Sequence, residues 1–347
     1  MRRAPWVLAI AGSAAVVFAL AWPSPVRPAA EVAAVSDTLS VVWAGDTMLA
    51  DAVLPLVEEH GYQWPLEFVS PLLDADAVIV NVETAIGTSG RQLRPNALFT
   101  YRSDTAMLTA LAEAGVDTVG MANNHSMDFG GEGLSEAMEA AHAAGLGVVG
   151  AGHDVESAGR PLIVRSQGTT LAVVAFAKDY GDARVATPDG PGINPLGRRE
   201  VDRSFAVARS LGADFVAAFV HWGENYQVAV TSEQREQAQM LVDAGFDLVV
   251  GHGAHVVQEA SLVHGVPVFY SLGNFVFGSP GRFEEGAPGT GIVLRTVIDG
   301  DGLVAMVATC IATDNDEVAF QPRPCDIDGT EQTRVQMAPV GAAVEGG

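Results

Sequence analysis

Eight short apolar runs punctuate the chain between residues 39 and 270, and they restrict its possible folds more than any other feature. They occupy residues 39–44, 77–82, 118–122, 146–149, 171–177, 215–220, 246–250 and 267–270, are rich in Val, and five of them lead directly into Gly, Asn or His. Runs of this length without polar alternation suit strands buried on both faces. Ala-rich helical candidates lie between them at 105–114, 133–144, 199–211 and 232–244. Gly115, Gly145 and Gly245 stand at the ends of three of these, where a left-handed helix cap favours glycine. The alternation predicts an α/β fold with sheet covered by helices. Later, residues 292–298 and 303–311 flank Asp299-Gly300-Asp301-Gly302, the pattern of a β-hairpin.

Arg2-Arg3 precede an apolar run from Trp6 to Trp22, followed by Pro23, Pro25 and Ala-rich stretches. A signal peptide or an N-terminal membrane anchor has this form, with small residues nearby for cleavage. The expected organisation is an export segment and linker over 1–35, one domain over 36–328, and a flexible tail over 329–347. The domain would lie outside the cytoplasm, secreted or anchored, touching a membrane only through the N-terminal segment. Cys310 and Cys325, the two cysteines, either pair in an oxidising compartment or remain free thiols. With 42 acidic against 19 basic residues the net charge is −23. That excludes nucleic acid as a partner, because phosphate binding needs clustered Lys and Arg.

Polar groups able to hold a metal fall just past the predicted strand ends. Strand 39–44 runs into Gly45-Asp46, strand 77–82 carries Asn81 and ends at Glu83, and strand 118–122 runs into Asn123-Asn124-His125. Strand 215–220 ends at His221, and strand 246–250 at Gly251-His252-Gly253-Ala254-His255. Ligand sites of parallel-rich α/β folds form along one edge of strand C-termini. Taken singly, each residue is as well explained by a turn, a helix cap or a satisfied core histidine. His252 and His255 are stronger, because two imidazoles three apart on a glycine-containing turn can converge on one ion. His60, His142, His153 and His264 lack such neighbours. Carboxylate, amide and imidazole donors without thiolate suit Mn, Fe or Zn. Their number exceeds one tetrahedral site and suits two divalent ions, with Glu83 as the expected bridge.

The order of motifs resembles the CapA family of capsule and poly-γ-glutamate biosynthesis proteins, itself similar to calcineurin-type metallophosphoesterases. The matching pieces are Ala44-Gly45-Asp46-Thr47-Met48, Asn81-Val82-Glu83, and Ala122-Asn123-Asn124-His125 with Asp128 and Gly130. His221-Trp222-Gly223, Gly251-His252-Gly253-Ala254-His255 and Tyr270-Ser271-Leu272-Gly273-Asn274-Phe275 complete them. The resemblance implies a four-layer αββα β-sandwich, two mixed sheets flanked by helices. It implies Asp46 and His255 on a first ion, Asn124, His221 and His252 on a second, and Glu83 between them. His125 would remain unligated as a proton donor to the leaving group, with an ion-activated water as nucleophile. Three departures stand out. Met48 occupies the place of an imidazole, Glu224 is displaced by one position, and Ala254 replaces a proline.

Three functions follow as expectations. The first is a metal-dependent hydrolase or transferase acting on an anionic cell-envelope polymer such as poly-γ-glutamate. The second is a non-catalytic accessory subunit of the polymer's synthesis, export or anchoring machinery. The third is an extracytoplasmic phosphoesterase, which Met48 weakens. An acidic protein meeting an acidic polymer would need a bridging cation or a local basic patch, and no such patch is visible in the sequence.

Overall fold

The computed structural model describes residues 7–10, 16–19, 38–166, 168–178, 180, 184–283, 289–325 and 334–337. Most of the expected export segment and linker, and most of the expected tail, lie outside these residues. Among the described residues no helix is long and apolar enough to cross a membrane.

The predicted strands assemble into two sheets. The larger contains β1 (Leu39–Met48), β2 (Ala77–Val82), β3 (Thr118–Gly120) and β4 (Gly147–Val149), all parallel. The smaller is built on β5 (Leu162–Ser166), β6 (Thr169–Ala177), β7 (Phe215–His221) and β8 (Leu248–His252), with β6, β7 and β8 parallel. β9 (Ala260–Val263) and β10 (Val266–Phe269) close its far edge as an antiparallel pair, as β5 does beside β6. β11 (Asn274–Phe277) crosses to the larger sheet and pairs parallel with β1, while in the expected hairpin β12 (Thr290–Asp299) pairs antiparallel with both β1 and β13 (Gly302–Ala312). Both sheets are therefore mixed.

Side-chain alternation fixes the layers. On β7, Phe215, Ala217 and Phe219 belong to the main core with the larger sheet, whereas Val216, Ala218 and Val220 face a second core. That second core is closed by α3 (Arg198–Ser210) and α4 (Ser232–Ala244), through Val201, Ala208, Ala238 and Leu241. α1 (Ala106–Glu113) and α2 (Gly130–Ala143) contribute Met107, Leu108, Leu134 and Met138 to the main core. Trp43 of β1 packs against Phe219 of β7, ring centroids 6.0 Å apart, which joins the sheets face to face. The result is the expected αββα order, with both faces of each central strand buried. α4 shows how local chemistry sets an element's ends. Thr231 and Gln234 form a reciprocal capping box, and Gly245 at φ 109° terminates the helix.

Cys310 and Cys325 form a disulfide that ties β13 to the following segment. The sequence had left their pairing open.

One irregularity positions the site. The register of β1 against β2 shifts between Ala44 and Asp46, a bulge that re-aims the strand's end. A Cβ on Gly45 would lie 1.9 Å from the Gly273 carbonyl oxygen, so only glycine allows the two segments to approach this closely. Gly45→Ala is expected to destabilise the protein by about 3 kcal/mol or more, read from its urea midpoint. An unchanged midpoint would contradict this packing.

Candidate metal centre

Strand parity brings the site residues together. His221 and His252 continue the inward series of β7 and β8 and are paired residue to residue across the parallel ladder. The bulge turns Asp46 towards them from the opposite sheet. Its Oδ1 lies 3.3 Å from His252 Nδ1 and 3.9 Å from His221 Nδ1, and its Oδ2 lies 3.3 Å from His255 Nδ1. Asn81 Nδ2 donates to Oδ1 at 2.9 Å and the Gly253 N–H donates to Oδ2 at 3.0 Å. Gly253 adopts φ 102°, and a Cβ there would press on Trp222 and His221, which explains the glycine within the turn. His255 itself adopts φ 60°, an uncommon conformation for a residue with a side chain. The turn thus stores local strain of about 1 kcal/mol to aim its second imidazole.

Two groups of buried donors result, each with its ligand atoms within 4.8 Å of one another: Asp46, His221 and His252, and Asp46, Glu83 and His255. Asp46 is shared between them. The resemblance makes Glu83 the bridge; the geometry gives Asp46 at least an equal claim. Glu83 Oε1 nonetheless faces both groups, 3.8 Å from His221 Nε2 and 3.7 Å from His255 Nε2.

Asn124 Oδ1 is buried without a hydrogen-bond partner, as are both Glu83 carboxylate oxygens and His252 Nε2. These atoms are metal-ligand types left unsatisfied where an uncompensated polar atom costs ~1–3 kcal/mol, so the donor set fits a bound cation. Asn123, by contrast, is spent on structure. It donates to Asn81 Oδ1 and the Val82 carbonyl, and its own oxygen accepts from the N–H groups of His125 and Ser126. His125 pairs through Nδ1 with Asp128 Oδ2 at 2.7 Å, and among the described residues it belongs to neither donor group. His60, His142, His153 and His264 belong to neither donor group.

The departures from the family pattern have local explanations. Met48 is fully buried beside Ala50, Tyr101 and Phe277, in an apolar pocket rather than among donors. Glu224 is paired with Lys178 at 2.8 Å. Asn274, from the Leu272-Gly273-Asn274-Phe275 segment, is the ladder partner of Asp46, and its Oδ1 lies 3.0 Å from His255 Nδ1. An Nδ1–H donated there leaves the Nε2 lone pair facing Glu83. The sequence marked Asn274 and Asp128 as motif members without roles; the fold supplies the roles as positioning contacts.

The imidazoles separate the two carboxyls. Burial opposes ionisation of Asp46, but hydrogen bonds from His252 and His255 outweigh it and hold Asp46 well below the usual carboxylate range. Burial, reinforced by the charge of Asp46, pushes Glu83 well above it. Burial also pushes His221 and His252 down, so both rings favour the neutral, ligating form. For Glu83 the linkage sign is definite. Its contribution to the stability of the metal-free protein is present below the ordinary value of 4.5 and is lost as pH rises through the raised one.

A family model for the bacterial capsule synthesis protein PGA_cap matches residues 40–279. The chain is 28% identical over 263 residues to the PGA biosynthesis protein CapA of Bacillus subtilis, covering 75% of this chain and 69% of that one. It is 29% identical over 250 residues to the capsule biosynthesis protein CapA of Bacillus anthracis, covering 70% and 60%. The chain therefore matches three fifths to two thirds of these relatives' lengths. Among solved structures, the NAD nucleotidase of Haemophilus influenzae has a TM-score of 0.44 at 13% identity, covering 84% of this chain and 54% of that one. The sulfate thiohydrolase SoxB of Thermus thermophilus has a TM-score of 0.45 at 14% identity, covering 81% and 46%. Likeness at this level carries no inference about activity.

Cation binding at Glu83 should expel its proton, while His221 and His252 have none to lose at neutral pH. Titration calorimetry with Mn at neutral pH, in buffers of different ionisation enthalpy, should report net proton release by the wild-type protein. Glu83→Gln should release fewer protons; equal release by both proteins would contradict the assignment. On its matched span and its motifs together, the chain belongs to the bacterial capsule synthesis protein family, PGA_cap.

Proposed function

We propose that the chain is an exported, metal-dependent hydrolase or transferase acting on poly-γ-glutamate or a related anionic envelope polymer. The observation that carries this reading is the pair of buried donor groups sharing Asp46, with unsatisfied ligand atoms on Glu83, Asn124 and His252. A purely architectural core has no use for such atoms. The relatives' named roles in capsule and PGA biosynthesis support the substrate class. The apolar N-terminal run and the Cys310–Cys325 disulfide support an oxidising, extracytoplasmic location.

Asp46, Glu83, Asn124, His221, His252 and His255 would hold two ions of the Mn, Fe or Zn kind. Bound there, they supply Lewis-acid polarisation of the scissile carbonyl or phosphoryl oxygen and a water activated at neutral pH. The protein's own contribution is orientation and proton transfer. Asp128 holds His125 Nδ1, and is itself held by the Tyr101 N–H at 3.0 Å and by Arg94 at 3.4 Å. This arrangement fixes the imidazole's orientation and leaves Nε2 to hold a proton for the departing amine or alcohol. The same chemistry serves a γ-amide and a phosphate ester, so the metal centre does not by itself select the bond. Met48, where an imidazole would complete the first ion's ligands, favours the polymer over an ordinary phosphoester.

Metal analysis of the purified domain should give about two equivalents of Mn, Fe or Zn. His252→Ala should lose metal and polymer cleavage together, whereas His125→Asn should keep metal and lose about 10²–10⁴-fold in rate. A metal-free wild type that retains its fold and still binds the polymer-synthesis machinery would establish the accessory role instead.

A further inference from the structure

Three of the chain's five tyrosines surround the centre, each beside one candidate site histidine. Ring centroids are 4.6 Å apart for Tyr101 and His125, 6.3 Å for Tyr180 and His221, and 5.5 Å for Tyr226 and His255. Outside this collar stands Arg282, which is exposed. Its guanidinium carbon lies 4.4 Å from the ring centre of Phe99 and 5.1 Å from that of Tyr226. Phe99 in turn stacks on Tyr101, and Phe283 meets Tyr226 edge to face. Three separate loops thus converge on one cation, and two of them rest directly on site residues. Tyr226 is tied down further: it adopts φ 61°, and its N–H donates to the Ala254 carbonyl at 2.7 Å, within the His252–His255 turn. A side chain with positive φ persists only where its surroundings enforce it.

The other cations of the rim have protein partners. Arg94 pairs with Asp128, Lys178 with Glu224, and Arg184 donates to the Asn124 carbonyl. Arg282 pairs with no carboxylate among the described residues. Arg282 also hydrogen-bonds Tyr226, and a guanidinium laid against aromatic faces keeps its remaining N–H donors in its own plane, in the fork that matches a carboxylate. On a chain of net charge −23, an anionic ligand is repelled at long range and needs such a local receptor.

We propose that Arg282, clamped between Phe99 and Tyr226, is the specificity-determining contact for a pendant carboxylate of the polymer chain presented to the metal centre. The inference rests on the polymer reading above and names the feature that would select a γ-linked glutamate chain over a neutral one.

Calorimetric titration of the Mn-loaded protein with a γ-linked glutamate pentamer, and separately with the neutral γ-linked glutamine pentamer, tests it. Arg282→Gln should weaken the glutamate pentamer by about tenfold to a hundredfold and leave the glutamine pentamer unchanged. Arg282→Lys should recover part of the loss, since it restores charge without the planar fork. Metal content and melting temperature should stay at wild-type values, because the side chain is exposed. If Arg282→Gln binds the glutamate pentamer as tightly as wild type, the proposal is overturned and the polymer reading stands. If the wild type binds neither pentamer and leaves the polymer intact, both fall.

Discussion

The Asp46 carboxylate is the contact on which the rest of the centre depends. It arrives from the larger sheet and is held by an N–H and two imidazoles borne by the smaller sheet and the turn after it. Removing one partner from a buried charge typically costs 3–5 kcal/mol, more than most single packing contacts supply. The approach of the two sheets and the shape of the site are therefore one constraint. The bulge at Gly45, the contact with Gly273 and the glycine at 253 all serve to bring that carboxylate to its place.

Because Asp46 is held ionised while Glu83 is pushed towards neutrality, the centre avoids two adjacent buried negative charges. His221 and His252, kept neutral by burial, are poised as ligands. The arrangement has its donors in order and several of them unsatisfied, which is a preorganised cation site. Around it the aromatic collar and Arg282 form a second, more peripheral layer. On the proposed polymer reading, a local cation there would answer the difficulty of bringing an acidic polymer to an acidic protein.

Much of this was legible in the sequence because buried strands leave an unambiguous signature. The Val-rich runs, the glycine stops and the hairpin at 299–302 mark elements whose positions the fold keeps within a few residues. The clustering of Asp46, Glu83, His221, His252 and His255 was legible too, since all follow strand ends. What stayed hidden depends on tertiary proximity. That the strand ends belong to two sheets rather than one edge follows from crossovers, and from β11 pairing with β1. The sharing of Asp46 arises from a bulge with no sequence mark beyond one glycine. Arg282, Phe99 and Tyr226 lie in loops far apart in the chain, so the basic contact at the rim has no linear pattern to betray it. The pairing of Cys310 with Cys325 likewise required the strands to bring them together.

The central claim is that Asp46 joins two cation sites across the sheet interface. Anomalous diffraction from crystals of the Mn-loaded protein tests it most directly. The account predicts two anomalous peaks a few ångströms apart, one bounded by Asp46, His221 and His252 and the other by Asp46, Glu83 and His255. A single peak that omits Asp46, or none at saturating Mn, would contradict it.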